Sequence, residues 1–94
     1  MAPRAVDVRV PGLLTRFTDG RQRVPVRAGT VEEALDALVE AYPALAPHLR
    51  DGRGGLRTHL RLFVNGEEVD EADAGAVAVQ AGDEVVVLQA VSGG

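Results

Sequence analysis

Val6, Val8 and Val10 alternate with Asp7 and Arg9, a period of two that predicts a strand buried on one side. Pro11-Gly12 opens a connection through Leu13, Leu14 and Phe17 to Asp19-Gly20, a turn dipeptide. A second strand is expected over residues 21–27 with Val24 and Val26 inward, and the two strands read as a hairpin. Pro25 has no N–H to donate, so this strand belongs at a sheet edge. After Thr30 the period changes. Val31, Ala34, Leu35, Leu38, Val39 and Tyr42 recur at i, i+3, i+4, i+7, i+8 and i+11, the stripe of an amphipathic helix. Thr30 and Glu33 have capping-box spacing, with the carboxylate expected to reach back to the cap residue. Pro43 ends or kinks this helix. Residues 44–49 allow one further turn, and Asp51-Gly52-Arg53-Gly54-Gly55 is a loop.

Alternation returns over residues 58–64, with Leu60, Leu62 and Val64 on one face and His59, Arg61 and Phe63 on the other. Asn65-Gly66 is a strong hairpin signal and leads into a short strand near residues 67–69. An acidic, alanine-rich connection covers residues 71–81. Gly82-Asp83 then turns the chain into a last strand, over residues 84–91, that is apolar on both faces. The order is strand, strand, helix, strand, strand, strand. This predicts a mixed α+β domain with one main helix across one face of a single sheet.

The double-sided last strand creates a problem of cover. If Val85 and Val87 face the helix, Val86 and Leu88 face away from it. One helix covers one face of a small sheet, so Val86 and Leu88 together with Phe63 are expected to form an exposed apolar patch. Isolated surface hydrophobes need no explanation, but a contiguous patch marks a docking site. The competing reading is a plainly hydrophobic central strand with Phe63 covered by the long loops. A Phe63 ring fully shielded in the monomer would favour it.

Composition narrows the field. The chain has 94 residues, 46% of them hydrophobic, which suits one domain with a modest core. There is no cysteine, hence no disulfide framework, thiolate metal site or nucleophilic thiol. No apolar run approaches the roughly 20 residues of a membrane span, and the start does not lead into a secretory signal core. A soluble, cytoplasmic protein is expected. The net charge of −4 argues against nucleic-acid binding, which needs a basic surface. All ten basic residues are arginine, so no side-chain amine can accept an isopeptide bond.

Candidate catalytic chemistry is sparse. His48 and His59 have no ligand-spaced partners, and solvated surface positions suit them better. Glu67, Glu68, Asp70, Glu71 and Asp73 lack calcium-loop spacing and read as a solvated edge open to a basic partner. Arg50, Arg53, Arg57 and Arg61 have the number to clamp an anion, though a disordered loop is the plainer reading. Gly52-Arg53-Gly54-Gly55 lacks the lysine and hydroxyl of a phosphate loop. No nucleophile stands beside a base, so the domain is expected not to be an enzyme.

The chain closes on Ser92-Gly93-Gly94. Glycine has no Cβ, so such a tail can enter a channel too narrow for other residues. Extended, residues 92–94 reach about 10 Å. The expectation is a domain over 1–91 with a flexible tail over 92–94 whose terminal carboxylate, on Gly94, is the working group. Chain ends also fray without purpose, and a plain binding module with an incidental tail is the bland alternative.

In order along the chain stand Phe63-Val64-Asn65-Gly66-Glu67, Ala81-Gly82-Asp83-Glu84-Val85 and Val91-Ser92-Gly93-Gly94. These blocks resemble the VNGE, GDEV and VSGG blocks of the bacterial ubiquitin-like sulfur carriers, and the resemblance spans essentially the whole chain. That family comprises molybdopterin synthase small subunits, thiamine-pathway carriers (MoaD/ThiS) and actinobacterial cysteine-pathway carriers (CysO). Gln89-Ala90 stands where molybdopterin synthase subunits carry Pro-Pro. That departure, the added length between Tyr42 and Arg57, and the all-arginine composition place the chain nearest the CysO-like branch.

The resemblance implies a β-grasp fold with four to five strands and a non-catalytic, free-monomer carrier. It implies that an ATP-dependent activating enzyme adenylates Gly94 and that sulfur replaces AMP to leave a thiocarboxylate. A second, sulfur-accepting enzyme of cysteine or secondary-metabolite biosynthesis then takes the sulfur. Both partners would dock on Phe63, Val86 and Leu88; the carrier itself would bind no cofactor, ATP belonging to the activating enzyme. The alternatives within the family are molybdopterin or thiamine thiazole synthesis. A protein modifier forming isopeptide bonds through Gly94 is the rival from another class.

Overall fold

The strands and helix of the computed structural model, which describes residues 3–53 and 55–89, follow the hydrophobic periods closely. Strand β1 (Arg4–Arg9) leads through a 3₁₀ segment (Gly12–Phe17) to β2 (Arg23–Ala28). Helix α1 (Val31–Ala41), a 3₁₀ turn (Pro43–Leu45) and the single turn α2 (Ala46–Leu49) follow. Strands β3 (Leu60–Val64) and β4 (Glu67–Val69), a 3₁₀ turn (Glu71–Asp73) and β5 (Glu84–Gln89) complete the fold. The five strands form one mixed sheet in the order β2-β1-β5-β3-β4. β5 runs parallel to β1 and antiparallel to β3. This is the β-grasp fold.

β2 lies at one edge, as its proline requires: Pro25 sits opposite Asp7 and leaves its other side unpaired. The strand begins at Arg23 rather than residue 21. Thr18 is fully buried, and its hydroxyl donates to the Arg21 carbonyl at 2.5 Å, closing a turn over 18–21 that holds those residues out of the ladder. β3 is also shorter than the alternation suggests. Leu60 N–H donates to Arg57 C=O at 3.0 Å, so 57–60 is a turn and pairing starts at Leu60.

The core lies between the sheet and α1. Val6, Val8, Val24, Leu60, Leu62, Val85 and Val87 are buried from the sheet, and Val31, Ala34, Leu35 and Leu38 from the helix. Each fully buried Val or Leu contributes about 1.5–3 kcal/mol against its exposed state. Val39 and Tyr42, at the end of the same stripe, pack against this core half-buried.

The start of α1 explains the acidic connection. A helix leaves its first N–H groups without internal partners. Here Val31 and Glu32 donate to the carbonyls of Val77 and Ala74, both at 3.0 Å, and Glu33 N–H donates to Thr30 Oγ1 at 3.1 Å. The Glu33 carboxylate reaches one residue beyond the expected cap and accepts from Gly29 N–H at 2.8 Å. A Cβ at position 29 would lie 3.0 Å from that carboxylate oxygen. The crossover from β4 to β5 therefore runs across the N-terminus of α1, where it buries Ala74 and Val79. Among the described residues, no helix is long and apolar enough to cross a membrane.

Candidate functional site

α1 covers one face of the sheet, and the other face carries the candidate docking residues. Phe63 stands directly opposite Val86, and Leu88 opposite Arg61, on the antiparallel β3–β5 pair. Val85 and Val87 point into the core with no exposure, so the pleat turns Val86 and Leu88 outward. Leu88 is 47% exposed, while Phe63 and Val86 are half-buried. The ring is thus reachable from solvent, and no loop buries it.

Charge frames this patch. On one side Arg9 faces both Val86 and Arg23 across the sheet, and Arg23 meets Glu84 at 3.1 Å. On the other, the Arg61 guanidinium stands 6.0 Å over the Phe63 ring. It donates two bonds to the Glu68 carboxylate, at 2.6 and 2.5 Å. Those hydrogen bonds hold Glu68 below the usual carboxylate range and raise Arg61 above its ordinary value. An exposed pair of this kind adds little to stability; its effect is to fix the guanidinium beside the ring.

The VNGE and GDEV blocks meet at the opposite end of β5. Asn65 and Gly66 turn the chain at φ 50° and 90°, the left-handed pair that a two-residue hairpin favours. The Asn65 amide donates to Asp83 Oδ1 at 3.0 Å, and its side-chain carbonyl accepts from Glu84 N–H at 3.1 Å. Asn65 N–H donates to Glu84 C=O at 3.0 Å, and Gln80 N–H to Asp83 Oδ2 at 2.7 Å. The bond from the Gln80 backbone and then that from Asn65 hold the Asp83 carboxyl below its ordinary value. These motif residues form a clasp that fixes the register of β3 against β5. Their role is architectural.

The remaining candidates separate. Arg50 pairs with Asp36 at 2.6 Å, Arg57 Nε donates to the Pro47 carbonyl at 2.6 Å, and Arg61 holds Glu68. Three of the four arginines are thus directed to different partners, and the group makes no anion clamp among the described residues. In the acidic run, the Glu71 carboxylate accepts from Leu56 N–H and ties down the loop before β3. No group of three or more potential metal ligands converges among the described residues.

A second concavity was not visible in the residue pattern. The 3₁₀ segment after β1, α2 and the tail-side end of the β3–β5 pair enclose an open groove of about 540 Å³. His48 lies in it, stacked on Phe17 with centroids 4.2 Å apart. The three apolar residues Leu13, Leu14 and Phe17 within one short connection were the available signal. Gln89, the last described residue, also lines this groove. Ser92, Gly93 and Gly94 lie outside the described residues.

Residues 8–94 match the model of the ThiS family. Sulfur carrier protein CysO of Mycobacterium tuberculosis is 31% identical over 91 residues, covering 95% of this chain and 98% of that protein. The crystal structure of SAMP1 from Haloferax volcanii superposes with a TM-score of 0.81 at 34% identity, covering 96% of this chain and 99% of that one. The chain matched in the crystal structure of the Amycolatopsis orientalis BexX/CysO complex gives a TM-score of 0.82 at 29% identity, covering 96% of this chain and 100% of that one.

Proposed function

This chain belongs to the ThiS family of ubiquitin-like sulfur carriers, and from that premise we propose that Gly94 carries the sulfur as a thiocarboxylate. A free α-carboxylate is ionised near neutral pH and is a poor electrophile. In the first step a carboxylate oxygen of Gly94 attacks the α-phosphorus of ATP on an activating enzyme, and pyrophosphate leaves. A sulfur nucleophile then attacks the acyl carbon of the adenylate. With hydrosulfide as that nucleophile, AMP departs with the C–O bonding electrons, and loss of the S–H proton to solvent leaves the tail as –COS⁻. The carrier needs no thiol and no bound cofactor of its own, since ATP is held by the partner. A second enzyme takes the sulfur from the same tail into cysteine or secondary-metabolite biosynthesis.

The observation that carries this reading is that the family match runs through residue 94. The outward apolar residues support it: Val86 and Leu88 lie on the strand that leads to the tail, with Phe63 beside them on β3. Five residues separate Gln89 from Gly94 inclusive, a reach of at most about 17 Å. Ser92 and Gly93 would form the slender stalk, and both enzymes would use the Phe63–Val86–Leu88 face in turn, each meeting a monomer.

The test is intact mass. After incubation with ATP, sulfide and the adenylating enzyme encoded in the same genome, the chain should gain about 16 Da, one oxygen exchanged for sulfur. Deleting Gly93 and Gly94 should abolish the gain. No gain in the intact chain, or an unchanged gain after the deletion, overturns the reading. A protein-modifier role is favoured by a specific likeness: small archaeal modifier protein 1 of Haloferax volcanii is 45% identical over 65 residues. In that case Gly94 appears joined to lysines of other proteins.

A further inference from the structure

We propose that the groove beside Gln89 docks an acidic, apolar-tipped surface segment of the activating enzyme. The inference rests on the reading that Gly94 is delivered to such an enzyme, and it concerns the helix-side face of the sheet, away from Phe63, Val86 and Leu88. Gln89 pairs with Leu60 and shares the pleat of Val85 and Val87, so the end of β5 has a separate docking surface on each face.

The groove is built for a mixed partner. Its floor is apolar: Leu60 is buried in the core, and Leu14 and Phe17 pack against that core half-buried. Leu13 stands on its wall at 68% exposure, the highest of any large hydrophobic side chain among the described residues, and serves no purpose in the fold. The rim carries the guanidinium groups of Arg16 and Arg57, with His48 and His59 also in the lining and no carboxylate. Neither Arg16 nor Arg57 is in an ion pair within the described residues. Arg57 is held instead through Nε by the Pro47 carbonyl at 2.6 Å, which leaves its terminal nitrogens for another acceptor. Arg16 lies 6.0 Å over the Phe17 ring.

This lining stands on a chain of net charge −4. A long polyanion is therefore a poor occupant, since two guanidinium groups over an apolar floor do not offer the basic track that phosphate backbones need. A short segment with a Leu, Met or Phe tip between Asp or Glu residues matches floor and rim together. Position narrows its source to an enzyme that receives the tail, of which the activating enzyme is the first. Any enzyme that receives Gly94 must bring its surface within about 17 Å of Gln89, and the groove opens at that residue. Complementary rim charges chiefly speed encounter and fix orientation, which suits a carrier that must dock and leave.

The experiment uses full-length variants Leu13→Ser and Arg16→Glu/Arg57→Glu in ATP–pyrophosphate exchange with the adenylating enzyme encoded in the same genome. The expected result is a KM for the carrier raised about tenfold, steeply salt-dependent, with kcat unchanged and melting temperature close to that of the wild type. Binding of a chain lacking Gly93 and Gly94 to the same enzyme should weaken by a similar factor in these variants. An unchanged KM overturns the proposal. So does weakening that needs the tail present, because the groove then holds residues 90–94 of this chain. A wild type that self-associates and variants that do not would assign the groove to a second copy instead, again overturning it. No exchange with the wild-type chain at all removes the functional reading as well, which separates the two failures.

Discussion

Asn65→Ala should be the most destabilising single substitution outside the core. It removes the bond to Asp83 Oδ1 at 3.0 Å and the one from Glu84 N–H at 3.1 Å. A neutral hydrogen bond is worth about 0.5–1.5 kcal/mol net and one to a charged group about 1.5–3. This hairpin is solvent-exposed, so the low ends apply and the two bonds together amount to about 2 kcal/mol. Asn65 also sits at φ 50°, where alanine costs roughly 1 kcal/mol more. The total of about 3 kcal/mol is a large part of a stability of order 5–15 kcal/mol. For a domain of this size it lowers Tm by roughly 12–24 °C. Urea and thermal denaturation followed by far-ultraviolet circular dichroism measure it. Asn65→Gly separates the contributions, since glycine keeps the left-handed turn and loses only the bonds. A double-mutant cycle with Asp83→Ala should show coupling of at least about 0.5 kcal/mol. An alanine variant melting within about 3 °C of the wild type, or strictly additive singles, would refute the clasp.

The same clasp sets an acid limit. Asp83 has a native pKa below its unfolded one, so its contribution is present above the unfolded value and is lost as pH falls through the native one. Asp83→Asn should therefore flatten the loss of Tm below about pH 4, and an unchanged acid slope would remove Asp83 from the account. Val79→Ala, in the crossover, should cost about 2 kcal/mol in urea titration, as a buried side chain does; a truly exposed connection would lose under about 0.5 kcal/mol. Leu88→Ser should leave Tm within about 4 °C yet raise the KM of the adenylating enzyme for the carrier, and an unchanged KM would take the outer face out of partner docking.

Periodicity alone revealed the elements whose burial is one-sided. The valines of β1, the stripe from Val31 to Tyr42 and the Asn65-Gly66 turn each declare one geometry, and each forms it. The double-sided apolar run read over 84–91 singled out Val86, Leu88 and Phe63 as an outward patch, and the sheet sets Phe63 opposite Val86. What stayed hidden depended on contacts between distant segments. Residues 71–81 read as an acidic connection because alanines and carboxylates carry no period, yet their carbonyls cap α1 and Val79 is buried. The groove was equally hidden. Leu13, His48, Arg57 and Gln89 are scattered in sequence, and only the docking of α2 and the 3₁₀ segment against the sheet end assembles them. The late start of β2 and β3 followed from local turns, at Thr18–Arg21 and Arg57–Leu60, that compete with the ladder.

Placing β5 between β1 and β3 ties the integrity of the globule to the presence of its last strand. A chain nicked before Glu84 loses the middle of the sheet, leaving two hairpins that share no ladder. Such a fragment, without the ladder that joins its two halves, should unfold. Long-range parallel pairing of β1 with β5 also delays folding until β5 has been synthesised. A native globule is thereby a certificate that β5 has been made.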